Sequence, residues 1–204
     1  MRSRFPILAL GAALGLVLAL PAVAQNPQRH EWIHPPSNLP KSGHGSIKLD
    51  TLFEALKIAP DDDSAKAIEE RIWAVWVVSG SDTTNLLMSR VKAATDDKDY
   101  DLALKLLGAV IAITPKYVEA WNQRATIYYL KDDYGHALAD IREVLALEPR
   151  HFGAWSGLGL ILQDIGDDKH ALEAYRKALA IDPHLEHIPD VVKTLTEKVE
   201  GRDI

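Results

Sequence analysis

The chain has 204 residues, 23 Lys and Arg against 29 Asp and Glu, a formal charge of -6 and no cysteine. An acidic balance of this kind gives no electrostatic footprint for nucleic acid and repels anionic lipid headgroups. Without thiols there is no disulfide framework, so apolar packing alone must hold the fold.

Residues 1–24 read as an export signal. Arg2 and Arg4 precede an apolar stretch from Ile7 to Leu20, and Ala22-Val23-Ala24 supplies the small residues of a cleavage site. The stretch is shorter than the roughly 20 residues of a spanning helix. Cleavage after Ala24 leaves 21 Lys and Arg, a formal charge of -8 and no membrane span, which places the mature chain in the periplasm or outside the cell. Residues 25–45 hold Pro27, Pro35, Pro36 and Pro40 among polar residues and predict an extended or disordered linker. Trp32 and Ile33 are its bulky apolar side chains, available either to dock on the folded body or to serve as a recognition element.

Residues 46–81 predict a degenerate helical pair that caps the remainder of the chain. Apolar residues return at steps of three and four (Ile47, Leu52, Phe53, Leu56; Ile68, Ile72, Val75, Trp76), and the run from Ile72 to Val78 is apolar all round, as in a buried helix.

From residue 82 a fixed interval of 34 residues takes over: Pro115, Pro149, Pro183; Trp121, Trp155; Ala103, Ala137, Ala171; Leu107, Ile141, Tyr175. It divides the chain into units at 82–115, 116–149 and 150–183, each a helix, a tight turn and a second helix. Asp99, Asp133 and Asp167 keep the same step where helix N-caps belong, and none of the Asp clusters has the spacing of a calcium loop. Each Pro stops a second helix. Residues 184–204 close the array with a helix opened by Pro189, whose stripe of Val191, Val192, Leu195 and Val199 covers the last unit.

These residues resemble the tetratricopeptide repeat. The unit with Trp121, Ala125, Tyr128, Ala137, Ile141 and Pro149 matches that pattern closely, and so does the next, with Trp155, Gly159, Ala171, Tyr175, Ala178 and Pro183. The first unit departs from it at Leu87 and Val91. The resemblance implies an all-α, right-handed superhelix with the first helix of each unit on its concave face. It is also similar to exported bacterial envelope members of the family, which implies a compartment and no activity.

On those first helices one stripe is not needed for packing: Met88, Lys92, Thr95; Asn122, Thr126, Tyr129; Ser156, Leu160, Gln163. Neutral hydrogen-bonding groups with a few apolar anchors suit an extended peptide or a partner helix. Relatives that grip chaperone C-termini place polar or basic groups where this chain has Met88, Gly153 and Gly157, so that activity is not expected. Gly157-Leu158-Gly159 follows no strand and reads as close helix packing, not as a nucleotide loop. The pairs His30/His34 and His184/His187 lack a third ligand of matching spacing, and no catalytic set stands out, so neither cofactor, metal nor enzyme activity is expected. The expected function is a non-catalytic scaffold for a protein or peptide in envelope assembly or quality control. The alternatives are a homo-oligomeric structural protomer joined through Trp73 and Trp76 or the Val192 and Leu195 stripe, and an accessory subunit of an envelope enzyme or polysaccharide system.

Overall fold

The structure, a computed structural model, describes residues 32–36 and 49–201. The predicted export signal and most of the predicted linker lie outside the described residues. Within them the chain is all-α: α1 (Leu49–Lys57), α2 (Asp62–Trp76), α3 (Asp82–Asp96), α4 (Tyr100–Ile113), α5 (Val118–Leu130), α6 (Tyr134–Leu147), α7 (Phe152–Asp164), α8 (Asp168–Ile181) and α9 (Ile188–Val199).

The sequence interval has a direct local cause. In each unit the turn between the two helices places one residue at positive φ (Lys98 at 58°, Asp132 at 57°, Gly166 at 84°). The next Asp caps the second helix: the side chains of Asp99, Asp133 and Asp167 accept the backbone N–H of Leu102, His136 and His170 at 3.1, 3.2 and 3.3 Å. The repeated Trp and Pro are one device. The Trp121 indole N–H donates to the Pro115 carbonyl, and that of Trp155 to Pro149, both at 2.9 Å, locking the loop between units onto the helix it precedes. The Pro stops the helix before it, while α5 and α7 begin three residues later.

Consecutive helices pack as hairpins, α3 on α4, α5 on α6 and α7 on α8, with α5 and α7 also side by side. Ala103, Ala137 and Ala171 are fully buried where second helices approach their neighbours. Gly159 serves the same end, since a Cβ there would sit 2.8 Å from the Tyr175 ring. Helix α9 covers α8 with Ile188, Val191 and Leu195, all buried.

The leading pair takes a different place from the one its position in the chain suggests. Leu52, Phe53, Leu56, Ile72, Trp73 and Trp76 share a core with Phe152, Leu172, Tyr175, Leu185 and Leu195 of the last unit and α9. Its polar contacts agree: Arg150 donates to Asp50 at 2.7 Å, and His184 Nδ1 lies 2.7 Å from Asp62. The pair therefore folds back onto the end of the array, and α3 keeps Leu86 exposed at 60% where a preceding cap would have covered it.

Candidate functional site

The nine stripe residues come to one side of α3, α5 and α7, at equivalent positions 34 residues apart. On α3, Met88 and Thr95 are half-buried and Lys92 is exposed, paired with Asp96 at 2.7 Å. On α5 and α7, Asn122, Thr126, Tyr129, Ser156 and Leu160 are buried, and Gln163 is half-buried. Two parts of the chain's own N-terminal region pack on α5 and α7, one at the start of α7 and one on Tyr129 and Leu160 of the stripe.

The first cover is the end of α2. Trp76 stacks on His151 with centroids 4.1 Å apart and planes 9° from parallel, and Trp73 meets His151 and Phe152 edge-on at 5.3 and 5.6 Å. Gly153 makes room for this: a Cβ there would lie 3.2 Å from the Trp73 ring. Just beyond the helix, the Tyr117 hydroxyl donates to the Val77 carbonyl at 2.9 Å, so the chain passes from the start of α7 to the start of α5. Burial, with Glu119 nearby, pushes the Tyr117 phenol up.

Beneath that cover lies a polar layer. Glu119 is fully buried and accepts from Asn122 Nδ2 at 3.4 Å and Gln123 Nε2 at 3.1 Å. His151, also fully buried, caps α7 by accepting the Ala154 N–H on Nδ1 at 3.0 Å. A neutral ring accepting on Nδ1 carries its proton on Nε2, which stands 3.8 Å from Glu119 Oε2 and has no hydrogen-bond partner. Asn122 Oδ1, Ser156 Oγ and Trp76 Nε1 are buried without partners as well.

The second cover is the segment 32–36. Trp32 is 4% exposed and clusters with Ala125, Tyr129, Ala137, Ile141, Leu160 and Ile161. Its ring lies 5.6 Å from that of Tyr129 and directly on Gly157, where a Cβ would fall 2.5 to 2.8 Å from three indole atoms. Gly157 is thus explained by Trp32, not by the helix packing that accounts for Gly159. The Tyr129 hydroxyl donates to Asp164 at 2.9 Å at the far end of the face.

Other predicted contacts find their partners inside the chain. Trp73, Trp76 and Leu195, expected as self-association surfaces, are buried against α7, α8 and α9 and are not available for that role; Val192 is half-buried against the same core. Gly153 and Gly157, where a carboxylate clamp would need polar groups, lie under Trp73 and Trp32. The backbone N–H and the ring of His136 bond to the capping Asp133, and the ring and backbone N–H of His170 to Asp167, pulling both carboxyls below their usual range. Among the described residues no group of three His, Asp or Glu could hold a metal ion, and no helix is long and apolar enough to cross a membrane.

The junction between α2 and the end of α8 has its own electrostatics. Asp182 is fully buried and accepts the His184 N–H at 3.0 Å. Burial and the neighbouring Asp182 raise the Glu69 carboxyl to about 8. Asp62 raises the His184 imidazole above its ordinary value.

Sequence reasoning missed Glu119, His151 and the two tryptophan seats. A signal for the seats was present: at the positions of Gly153 and Gly157 the preceding unit has Glu119 and Gln123.

The tetratricopeptide repeat family profiles match residues 118–151 and 153–185. A TPR repeat-containing protein of Rhizobium etli is 42% identical over 83 residues, covering 41% of this chain and 41% of the relative, so the chain spans about two fifths of that relative's length. Among solved structures, the Sgt2 TPR domain from Aspergillus fumigatus is 27% identical, covers 59% of this chain and 81% of its own, and superposes with a TM-score of 0.54. The first TPR domain of Spaghetti, bound to an HSP90 peptide, shares the fold at 17% identity and a TM-score of 0.55, covering 62% of this chain and 98% of its own.

Proposed function

We propose that this chain, whose residues 118–151 and 153–185 match tetratricopeptide repeat profiles, holds an extended segment of a protein partner on the inner face of α3, α5 and α7, in the bacterial envelope. One observation carries the reading: a non-helical stretch of the chain, residues 32–36, already seats its tryptophan on that face, buried against Tyr129, Leu160 and Gly157. A surface that buries a side chain of one non-helical segment has the shape to take another from an extended peptide. The envelope assignment rests on the export signal read in residues 1–24, and a role in assembly or quality control is consistent with it. Solenoids of this class use their concave surface for binding, and the role proposed for the chain is a non-catalytic one.

A crosslinked pull-down from an envelope extract tests this. The Tyr129→Ala chain, with helical circular dichroism retained, should lose the partners that the unmodified chain captures. Unchanged capture would remove the groove from the account.

A further inference from the structure

We propose that the segment Trp32–Pro36 is a built-in substitute ligand, and that the partner which displaces it is an extended peptide bearing a tryptophan that seats on Gly157 between α5 and α7. The inference rests on the reading of the inner face as a peptide groove, and it adds what the groove selects and what guards it.

The seat is specific to one repeat. Units one and two place Ser89 and Gln123 at the position of Gly157, and either would put a Cβ where the Trp32 ring lies. A glycine inside a helix is unfavourable relative to alanine. Its presence here coincides with an indole resting on the bare backbone. Tyr129 tilts against one side of that indole at 44°, and Ala125, Leu160 and Ile161 complete an apolar seat. A planar ring of this size fills it; an aliphatic side chain would leave the Gly157 floor empty.

The substitute fits imperfectly, which makes it displaceable. Trp32 Nε1 is buried with no acceptor. Buried polar atoms left unpaired weaken a docked state relative to one in which they are satisfied. The rest of the segment is less enclosed than Trp32: Ile33, Pro35 and Pro36 are only partly buried, and His34 is exposed. Covalent connection through residues 37–48 offsets this imperfect fit by keeping the segment at high effective concentration. A competing peptide therefore binds with an affinity reduced by the fraction of time the seat is filled.

The test uses the full chain and a fluorescent peptide with the sequence of residues 28–38, alongside the same peptide with alanine in place of its tryptophan. The Trp32→Ala chain should bind the tryptophan peptide at least about tenfold more tightly than the unmodified chain does. The alanine peptide should bind neither. Adding Gly157→Leu to Trp32→Ala should abolish the gain. In the unmodified background Gly157→Leu should move the Trp32 indole N–H resonance to its unstructured position, a readout that needs no ligand and no Trp32 substitution. Helical circular dichroism and Trp32→Phe, expected to give an intermediate gain, guard against a folding defect in Trp32→Ala. Equal binding by the unmodified and Trp32→Ala chains, or indifference of the resonance to Gly157→Leu, overturns the proposal. If envelope partners are lost on Tyr129→Ala yet captured equally with and without Trp32, the groove stands and the substitute-ligand idea falls. If the tryptophan peptide behaves as expected but Tyr129→Ala keeps its partners, it is the groove reading that falls.

Discussion

Asn122, Thr126 and Tyr129 of α5 are buried, whereas Met88, Lys92 and Thr95, one repeat earlier on α3, are half-buried or exposed. The two sets occupy equivalent positions in the same repeat, so the repeat register does not set their environment. What differs is the cover. Trp73 and Trp76 pack on the start of the third unit and Trp32 on the second and third, while the stripe of the first stays half-buried or exposed. The inner surface is therefore two surfaces. One is an open stretch on α3, mostly polar; the other is filled by the chain itself, with orphaned polar atoms beneath.

The largest effect that separates the two halves lies at the α2 cover. Trp73 is 1% exposed and packs on Phe152, His151 and the Gly153 backbone. Trp73→Ala should cost about 3–5 kcal/mol in urea denaturation, the range for truncating a buried large aromatic. On the open half, Leu86→Ala should change stability by no more than about 0.5 kcal/mol. Similar losses at the two sites would mean that α2 does not bridge the repeats as described.

How much of this could be read in the residues depends on the kind of information. The spacing of Pro, Trp, Ala and Asp specified the repeats, because local caps and the Trp-to-Pro hydrogen bond act within one unit and recur in the next. The destination of α2 was not legible. Its apolar run from Ile72 to Val78 says that the helix is buried, but periodicity is silent on which surface buries it. The clue was distributed: two of the three tryptophans outside the repeats, Trp32 and Trp73, and two glycines four residues apart on α7 that break the pattern of the preceding unit. Matching rings to floors needs the tertiary arrangement. The stripe itself was legible as a face, while its division into open and filled halves was not.

A second contrast is in pH response, which the junction of α2 with the end of α8 should dominate. Glu69 titrates at about 8 in the folded chain, raised by burial and by Asp182 and offset in part by His184 and Lys66. A carboxyl raised in this way favours the folded state below its ordinary value near 4.5, and the benefit is lost as pH rises through about 8. His184, raised by Asp62, has the same sign: its charged form stabilises below the ordinary histidine value of 6.5 and the contribution fades as pH climbs past the raised one. Stability should therefore fall from pH 5 to pH 8, by about 1–2 kcal/mol for the partly exposed Glu69 after allowance for solvent screening. Glu69→Gln should flatten the dependence. An unchanged slope in that variant would place the pH sensitivity elsewhere.

The smallest expected effect compares the turns of the first and third units. Both place a residue at positive φ just before the capping Asp, but the third uses Gly166 at 84° and the first uses Lys98 at 58°. A side chain with a Cβ in the left-handed region crowds the following carbonyl, a cost of about 1–2 kcal/mol that glycine avoids. Glycine also brings a more mobile unfolded chain, which takes back part of the gain. Lys98→Gly should therefore stabilise the chain by about 0.5–1 kcal/mol, and Gly166→Ala should destabilise it by a similar amount. A Cβ at Gly166 would meet nothing within 4 Å, so steric contact cannot mask the backbone term there. Opposite signs at equivalent positions would show that the turns share one backbone geometry whatever covers the inner face. Equal signs would mean that the open first unit relaxes its turn, and that its difference from the later units extends from the missing cover into the backbone itself.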